Sequence, residues 1–285
     1  MKKILLFLVC VLGLQVHAQQ FNDYFDDATL RIDYTFSGDV HQQRITLDKL
    51  NRSPRWYGKR QRLAEVPVEG NGQIIVRHHA TRKEIYRQSF STLFQEWLSY
   101  DEPQHTVRSF ENVFLVPMPK DTVDITLELY NNRRAVMATF THQVVPTDIL
   151  IRHIGEHHRT PFVQLLSPKD TSRCIHIAFI AEGYQPSEMP TFIADATSSM
   201  EAIFAHEPFK SLKDRFSVVA VQAPSIDSGT SIPSKGIWKQ TALSSHFDTF
   251  YSERYLTTLN LKDLHDQLAG IPYEHIIVLV NTAHY

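Results

Sequence analysis

One short segment of this 285-residue sequence has the residue types and the spacing of a metal site. His153-Ile154-Gly155-Glu156-His157 matches the H-x-x-E-H pattern, in which two histidines on a helix bind a zinc ion. The pattern requires a helix, because only there do positions i and i+4 face the same way and reach one metal. Gly155 lies inside the segment and Pro161 follows it closely, so little room remains for a stable helix. We interpret both histidines as surface residues of a connector, with a zinc site as the alternative.

Two further segments carry polar side chains close together. His206-Glu207-Pro208-Phe209-Lys210 begins like an H-E-x-x-H helix, but Lys210 takes the place of the second histidine and Pro208 would break the helix. Ser245-His246-Phe247-Asp248 offers His246 and Asp248 as groups that could line a cleft, with ordinary loop structure as the alternative. The given sequence contains no G-x-S-x-G elbow and no phosphate-binding glycine loop.

The first residues have the pattern of a secretory leader. Lys2 and Lys3 form its positive part, an apolar run covers residues 4–14, and Val16-His17-Ala18 forms a small-residue cleavage site. The apolar run is shorter than the about 20 residues that a transmembrane helix needs. We predict a signal peptide over residues 1–18 and export to the periplasm, the cell surface or the medium, with no transmembrane segment.

Composition narrows the possible partners. The sequence has 29 Lys and Arg against 31 Asp and Glu, a formal charge of −2, which argues against a nucleic-acid partner. Of the 2 cysteines, Cys10 lies in the predicted leader, so the mature chain keeps Cys174 alone and an internal disulfide is impossible. Apolar neighbours make Cys174 a small core residue in preference to a nucleophile. The sequence does not indicate an oligomeric state.

The elements that must position any site fall into two groups. Residues 19–147 read as strand after strand: apolar residues alternate over Leu30–Phe36 and again over Val123–Tyr130, so each strand should have one buried and one solvated face. Short strands with regular turn signals predict an antiparallel β-sandwich. Residues 148–170 read as a linker rich in turn signals.

From residue 171 the periodicity becomes that of an α/β domain, which gives an α+β two-domain chain. Strands are predicted at Cys174–Ala181 and Phe216–Val221, with an apolar helical stripe from Met189 to Ile203 between them. A helix is predicted from about Ser252 to Ala269, with Gly270 as its stop. The run Ile276–Val280 is unbroken and apolar, which predicts a strand buried on both faces. Such a strand lies inside a covered sheet, so we expect this α/β domain to be truncated.

Several segments of the chain resemble one protein family. They are Phe25-Asp26-Asp27-Ala28-Thr29-Leu30-Arg31-Ile32-Asp33-Tyr34, Ala181-Glu182-Gly183-Tyr184, His206-Glu207-Pro208-Phe209-Lys210, Ser245-His246-Phe247-Asp248-Thr249-Phe250-Tyr251 and Gly270-Ile271-Pro272-Tyr273-Glu274-His275-Ile276-Ile277. Together they resemble the IgA-peptidase family of zinc metallopeptidases, metallopeptidase family sixty-four, which is typical of secreted proteins of Bacteroides-type gut bacteria. The similarity runs through the whole predicted mature chain.

The resemblance implies an N-terminal β-sandwich followed by an α/β zinc-peptidase domain, and an extracellular protein or peptide as substrate. The family's metal site is an H-E-x-x-H helix, whose positions follow the strand that matches Ile276–Val280 and are absent from this sequence. No catalytic residue and no metal ligand therefore carries over, and the zinc expected for a full-length member is not expected to bind this chain. What carries over are cleft-lining candidates, namely Glu182, Gly183, Tyr184, His246 and Asp248.

Three functional hypotheses follow from these observations. The first is an inactive fragment of a secreted zinc peptidase. The second is a secreted β-sandwich binding module that recognises a protein or a glycan. The third is a peptidase that uses His153 and His157.

Overall fold

The fold is taken from a computed structural model that describes residues 20–171 and 173–284, so the predicted signal peptide lies outside the described residues. Within these ranges the chain is mixed α/β, with twelve strands in three sheets and four α-helices. The helices are α1 (Phe21–Tyr24), α2 (Leu93–Trp97), α3 (Met189–Phe204) and α4 (Leu261–Gln267). None of these helices is long and apolar enough to cross a bilayer.

The strands follow in chain order. They are β1 (Phe25–Gly38), β2 (Gln43–Pro54), β3 (Gly72–His78), β4 (Glu84–Phe90), β5 (Arg108–Pro119), β6 (Val123–Tyr130), β7 (Val136–Val144), β8 (Arg152–His153), β9 (Phe162–Leu166), β10 (Ile175–Glu182), β11 (Phe216–Val221) and β12 (His275–Val280).

The first eight strands form two sheets, which we call the first unit. One sheet has the order β5–β1–β2–β8 and the other the order β4–β3–β6–β7. Their pairings are antiparallel except for the short parallel contact of β8 with β2. Apolar side chains of both sheets, such as Ile32 of β1 and Ile125 of β6, belong to one hydrophobic core. The alternating patterns at Leu30–Phe36 and Val123–Tyr130 thus point their apolar faces into the same interior.

Strand β1 departs from the predicted pattern of one buried and one solvated face. Leu30 and Ile32 are fully buried in the core, but Arg31 and Asp33 on the opposite face are also only 2% exposed. Helix α4 contacts that face, where Arg31 reaches Asp266. The prediction of a solvated face is therefore wrong for this strand. Charged residues at alternate positions look the same in a sequence whether they meet water or an ion-pairing partner.

The third sheet and helices α3 and α4 form the second unit. Its order is β12–β10–β11–β9, in which β10 is parallel to both β11 and β12 and β9 is antiparallel to β11. Phe192 of α3 packs on one face of this sheet, while Leu264 and Leu268 pack on the other. Strands β10 and β11 agree with the predicted strands to within one residue at each end.

The last predicted strand forms, but its surroundings differ from the prediction. Among the described residues β12 pairs only with β10, so it lies at an edge of the sheet. Ile276–Val280 is half-buried along its whole length. Within the described residues the strand is therefore not buried on both faces, and a continuous apolar run does not by itself distinguish a central strand from an edge strand.

The predicted linker contains two strands. Strand β8 joins the first unit through β2, and β9 joins the second through β11. The H-x-x-E-H segment between them is not helical: His153 ends β8, and Gly155 has a left-handed φ of +71°. His153 Nδ1 lies 3.2 Å from Glu156 Oε1, so this histidine contacts the glutamate of its own motif.

Helix α4 is much shorter than the predicted helix over about 252–269. Phe250 and Tyr255 pack against the core of the first unit, and this contact holds the chain before α4 in turns and an isolated bridge. Gly270 has a left-handed φ of +75° shortly after the end of α4, so the helix does not continue, as the position of this glycine predicts.

Polar and backbone contacts also join the two units. Lys262 of α4 places its Nζ 2.6 Å from Asp48 Oδ2 of β2. At Gly155 the main chains touch, because a Cβ built on this residue would lie 2.3 Å from the backbone nitrogen of Gly270. Both glycines therefore lack room for any side chain.

Candidate functional site

The carboxyl ends of the three parallel strands meet at one edge of the third sheet. Glu182 ends β10, Asn281 follows β12, and Ser225 lies in the loop after β11. Strand β10 lies between β11 and β12, so the first crossover runs from β10 to β11 on one side, and the second runs from β11 past β10 to β12 on the other side. In open α/β sheets ligands bind outside the carboxyl ends at such a switch point. We call this region the carboxyl edge.

Glu182 is the best-buried charged residue of the carboxyl edge, with 0% exposure. Its Oε1 accepts hydrogen bonds from Thr241 Oγ1 at 2.6 Å and from Ser245 N and Oγ at 2.8 and 2.6 Å. Its Oε2 accepts from the backbone nitrogen of Leu243 at 2.8 Å. Every one of these donors comes from residues 241–245, so the carboxylate holds this loop in place and has no free face toward a substrate.

Gly183 and Asn281 join the loops that follow the three strands. Asn281 Nδ2 lies 3.1 Å from the carbonyl oxygen of Gly183 and 3.3 Å from Ser228 Oγ. Ser228 Oγ in turn donates to Glu188 at 2.8 Å. Gly183 has a φ of +75°, and a Cβ there would lie 2.4 Å from the carbonyl oxygen of Gly229. The loops after β10, β11 and β12 are thus fixed to one another, which makes the carboxyl edge rigid.

Tyr184 faces the interior. It is 3% exposed, and its hydroxyl donates to Asp195 Oδ2 of α3 at 2.9 Å. Burial, followed by the hydrogen bond to Asp195, raises the pKa of Tyr184 well above its ordinary value. The residue therefore stays protonated and anchors α3 to the end of β10.

His246 and Asp248 lie on the loop that Glu182 holds. His246 Nδ1 donates to the carbonyl oxygen of Phe247 at 2.6 Å, so this nitrogen is engaged within its own turn. Asp248 Oδ2 accepts from the backbone nitrogen of Ser234 at 2.8 Å, and this bond lowers the pKa of Asp248. Smaller contributions to that pKa come from His246 and His284, which places polar side chains from two loops near one another.

The loop after β11 carries exposed apolar side chains beside the carboxyl edge. Ile226 is 72% and Trp238 70% exposed. Both flank a well-bonded turn: the carbonyl oxygen of Gln240 accepts from the backbone nitrogens of Ile226 and Asp227 at 3.1 and 3.0 Å. Asp227 Oδ2 accepts from Gln240 N at 2.7 Å. Trp238 is therefore presented to solvent from an ordered loop, and tryptophan is a side chain that often anchors partners.

The structure brings four of the predicted cleft residues into this region in unequal roles. Glu182 and Gly183 form the edge itself, and His246 and Asp248 lie on the loop bound to Glu182. Tyr184 points away into the core. Sequence reasoning missed Asn281 and the exposed Trp238. The signal for Asn281 was its position directly after an apolar strand, where a polar side chain in a parallel sheet falls at the carboxyl edge.

The described residues do not fit a zinc site. Residues 20–171 and 173–284 contain no group of three His, Cys, Asp or Glu side chains that could hold a metal ion. Cys174, the free cysteine of the described chain, lies half-buried with its Sγ 3.4 Å from His176 Nε2, and burial raises the pKa of its thiol. No Lewis-acid chemistry is assigned to any of these side chains.

Two family models match the chain. A model described as Peptidase M64 N-terminus matches residues 20–141, and a model described as IgA Peptidase M64 matches residues 163–285. The first match begins just before α1, and the second begins inside β9 and runs through β12. A comparison with curated proteins found no match.

Proposed function

The chain belongs to the peptidase M64 family, and we propose that it serves the hydrolysis of peptide bonds in polypeptides outside the cell. The family relationship supports a peptide as the substrate. The predicted signal peptide over residues 1–18 supports export, in keeping with secreted proteins of Bacteroides-type bacteria. Zinc is the metal that we propose for the family's catalytic step.

The residues described here take the role of a substrate-binding framework in this proposal. They lack a cluster of metal ligands within residues 20–171 and 173–284, so we propose that these residues alone do not hydrolyse peptide bonds. We also infer that the two sheets of the first unit form a β-sandwich, because their apolar side chains share one core. The second unit in this reading starts at β9, earlier than residue 171.

One observation carries the proposal most directly. The rigid carboxyl edge, held by Glu182 and Asn281, lies next to Trp238 and Ile226, whose side chains are exposed from an ordered loop. A peptidase needs a fixed surface on which an extended polypeptide can place apolar side chains. Exposed apolar residues beside the usual ligand-binding edge of an α/β sheet meet that need.

Trp238 also makes the proposal measurable. The sequence has 3 tryptophans, and Trp56 and Trp97 are 6% and 0% exposed against 70% for Trp238. Titration of a reduced and carboxymethylated polypeptide should shift the emission of the exposed tryptophan to shorter wavelength and reduce its quenching by acrylamide. Trp238→Phe should abolish that spectral change.

The affinity is measured separately, by anisotropy of a fluorescently labelled peptide. Trp238→Ala should weaken binding by about tenfold or more, as expected for a central aromatic contact. Tyr251→Ala is the matched control, since Tyr251 is 84% exposed and borders a different, small pocket that Trp97 and Tyr100 of the first unit also line. Equal loss in both variants, or none in either, would count against the carboxyl edge as the binding surface.

Binding that survives Trp238→Ala would favour the alternative, a secreted binding module in which the sandwich recognises a protein or a glycan. Hydrolysis by the purified chain that a chelator abolishes would overturn the proposal that residues 20–284 lack the catalytic site.

A further inference from the structure

A second candidate site lies at the junction of the two units, well apart from the carboxyl edge. A cavity of about 850 Å³ is bordered by Ile175 and His275, the first residues of β10 and β12. It therefore opens at the amino ends of the parallel strands. Sites for small organic ligands have volumes of about 300–1,000 Å³ and occur preferentially between domains.

The cavity walls are largely apolar and come from both units. The first unit contributes Trp56, Tyr86 and Leu115, and the second contributes Leu268, Ile271 and Ile276. Three polar side chains on the wall already have partners: Arg31 pairs with Asp33, His265 with the hydroxyl of Tyr273, and Glu274 with the backbone nitrogen of His176. A ligand would meet mainly hydrocarbon surface.

Lys59 differs from these three side chains; Arg55, Glu65 and His275 also border the cavity. Its Nζ donates to the carbonyl oxygens of Glu65 and Arg87 at 2.8 and 2.7 Å and lies 5.0 Å from the centroid of the Tyr86 ring. These acceptors are uncharged, and within the described chain no carboxylate forms an ion pair with Lys59 at 4.0 Å or less. Burial lowers the pKa of Lys59 to about 8, against a smaller opposing contribution from the more distant Glu65 carboxylate. A partly desolvated ammonium without a carboxylate partner favours an anion beside it.

We propose that this cavity binds an amphipathic organic anion, with its apolar body between the two units and its carboxylate on Lys59. The charge on Lys59 selects an anion over a neutral or cationic molecule of the same shape, and the apolar walls favour a hydrocarbon body. The site is independent of peptide hydrolysis, because it shares no residue with the carboxyl edge.

Three probes with one hydrocarbon chain separate charge from apolar contact: decanoate, decanol and decyltrimethylammonium, each titrated calorimetrically into the whole chain. Decanoate should bind at one site per chain and about tenfold more tightly than decanol, since a hydrogen bond to a charged group contributes roughly that much. Decyltrimethylammonium should bind most weakly.

Variants then locate the site. Lys59→Met should lower the affinity for decanoate to that for decanol and leave decanol unchanged, and Lys59→Arg should retain the preference. Lys83→Met is the matched control, because Lys83 Nζ also lies 5.0 Å from a tyrosine ring, that of Tyr24, outside the cavity. Val66→Trp should fill the cavity and remove both ligands.

The proposal is overturned if decanoate and decanol bind equally, or if Lys59→Met leaves the preference for decanoate intact. Unchanged binding in Val66→Trp would overturn it as well. A concentration-dependent dimer in sedimentation that excludes all three probes would instead assign the apolar walls to a second copy of the chain.

Discussion

Arg31 Nη1 lies 2.6 Å from Asp266 Oδ1 across the junction of the two units. The Arg31 side chain is 3% exposed and also pairs with Asp33 of its own strand, 2.7 Å away and equally buried. Asp266, in contrast, is 55% exposed. One guanidinium thus neutralises a buried carboxylate within β1 and binds an exposed one on α4.

Because the two carboxylates around Arg31 differ in burial, substitutions of Arg31 and of Asp266 should lower the free energy of unfolding by unequal amounts. Arg31→Ala should destabilise the protein by about 3–5 kcal/mol, because Asp33 would remain buried without a counter-charge. Asp266→Asn should cost less than about 1 kcal/mol, as is usual for exposed ion pairs. Urea unfolding of both variants measures the difference, and similar losses would show that the junction rather than Asp33 determines the effect.

Glu182→Gln should destabilise the second unit by about 3 kcal/mol. An amide nitrogen would replace one carboxylate oxygen and point a donor at the donors of residues 241–245. Thermal unfolding measures the loss. Glu253→Gln, at an exposed position of a nearby loop, is the control and should change stability by less than about 0.5 kcal/mol. Equal melting temperatures would mean that the loop does not depend on the carboxylate.

Two glycines with positive φ allow the free-energy cost of a left-handed backbone to be separated from the cost of steric overlap with a new Cβ. Gly236 has a φ of +67° with open space where a Cβ would lie, so Gly236→Ala should cost only about 1–2 kcal/mol. Gly183→Ala would add a Cβ 2.4 Å from the carbonyl oxygen of Gly229 and should cost clearly more. Chemical denaturation of the two variants provides the comparison. Equal losses would show that the loops after β10 and β11 can separate freely.

His265 should make the junction sensitive to acid. Burial, with a smaller contribution from Arg31, lowers its pKa from 6.5 to about 3. Between these values the unfolded chain binds a proton that the folded chain does not, so stability falls as the pH decreases through this window. The slope can reach about 1.4 kcal/mol per pH unit.

The test compares unfolding free energies at pH 7 and pH 4. His265→Gln retains an acceptor for the Tyr273 hydroxyl, which lies 2.7 Å from His265 Nδ1, and should lose less stability on acidification than the wild type. His105→Gln, at an exposed position, should behave like the wild type. Parallel pH profiles for all three proteins would refute the role of His265.

Much of the fold could be predicted because local pattern and tertiary packing agree there. The apolar residues of Val123–Tyr130 and the apolar stripe of α3 form real buried faces in the structure, although Asp124 and Thr126 on the other face of β6 are buried as well. The helix predicted from about residue 252 was too long, because Phe250 and Tyr255 are held by the core of the other unit. No window of local sequence contains that contact.

The candidate site was less predictable than the fold. Glu182 and Gly183 follow a buried strand, and that position alone places them at the carboxyl edge. What the sequence could not show is that all the donors around Glu182 come from residues some sixty positions later in the chain. The same limit applies to Lys59, whose place on the cavity wall depends on contacts with residues far along the chain, such as the carbonyl oxygen of Arg87.

The contact between Gly155 and Gly270 has a mechanical consequence. Main chain rests on main chain there, so no deformable layer of side chains separates the connector from the turn after α4. Rotation of one unit against the other would have to separate these two main-chain segments. It would also displace β12, which starts shortly after Gly270. A displacement at the junction would thus be transmitted along β12 to Asn281, instead of being absorbed by a soft hinge.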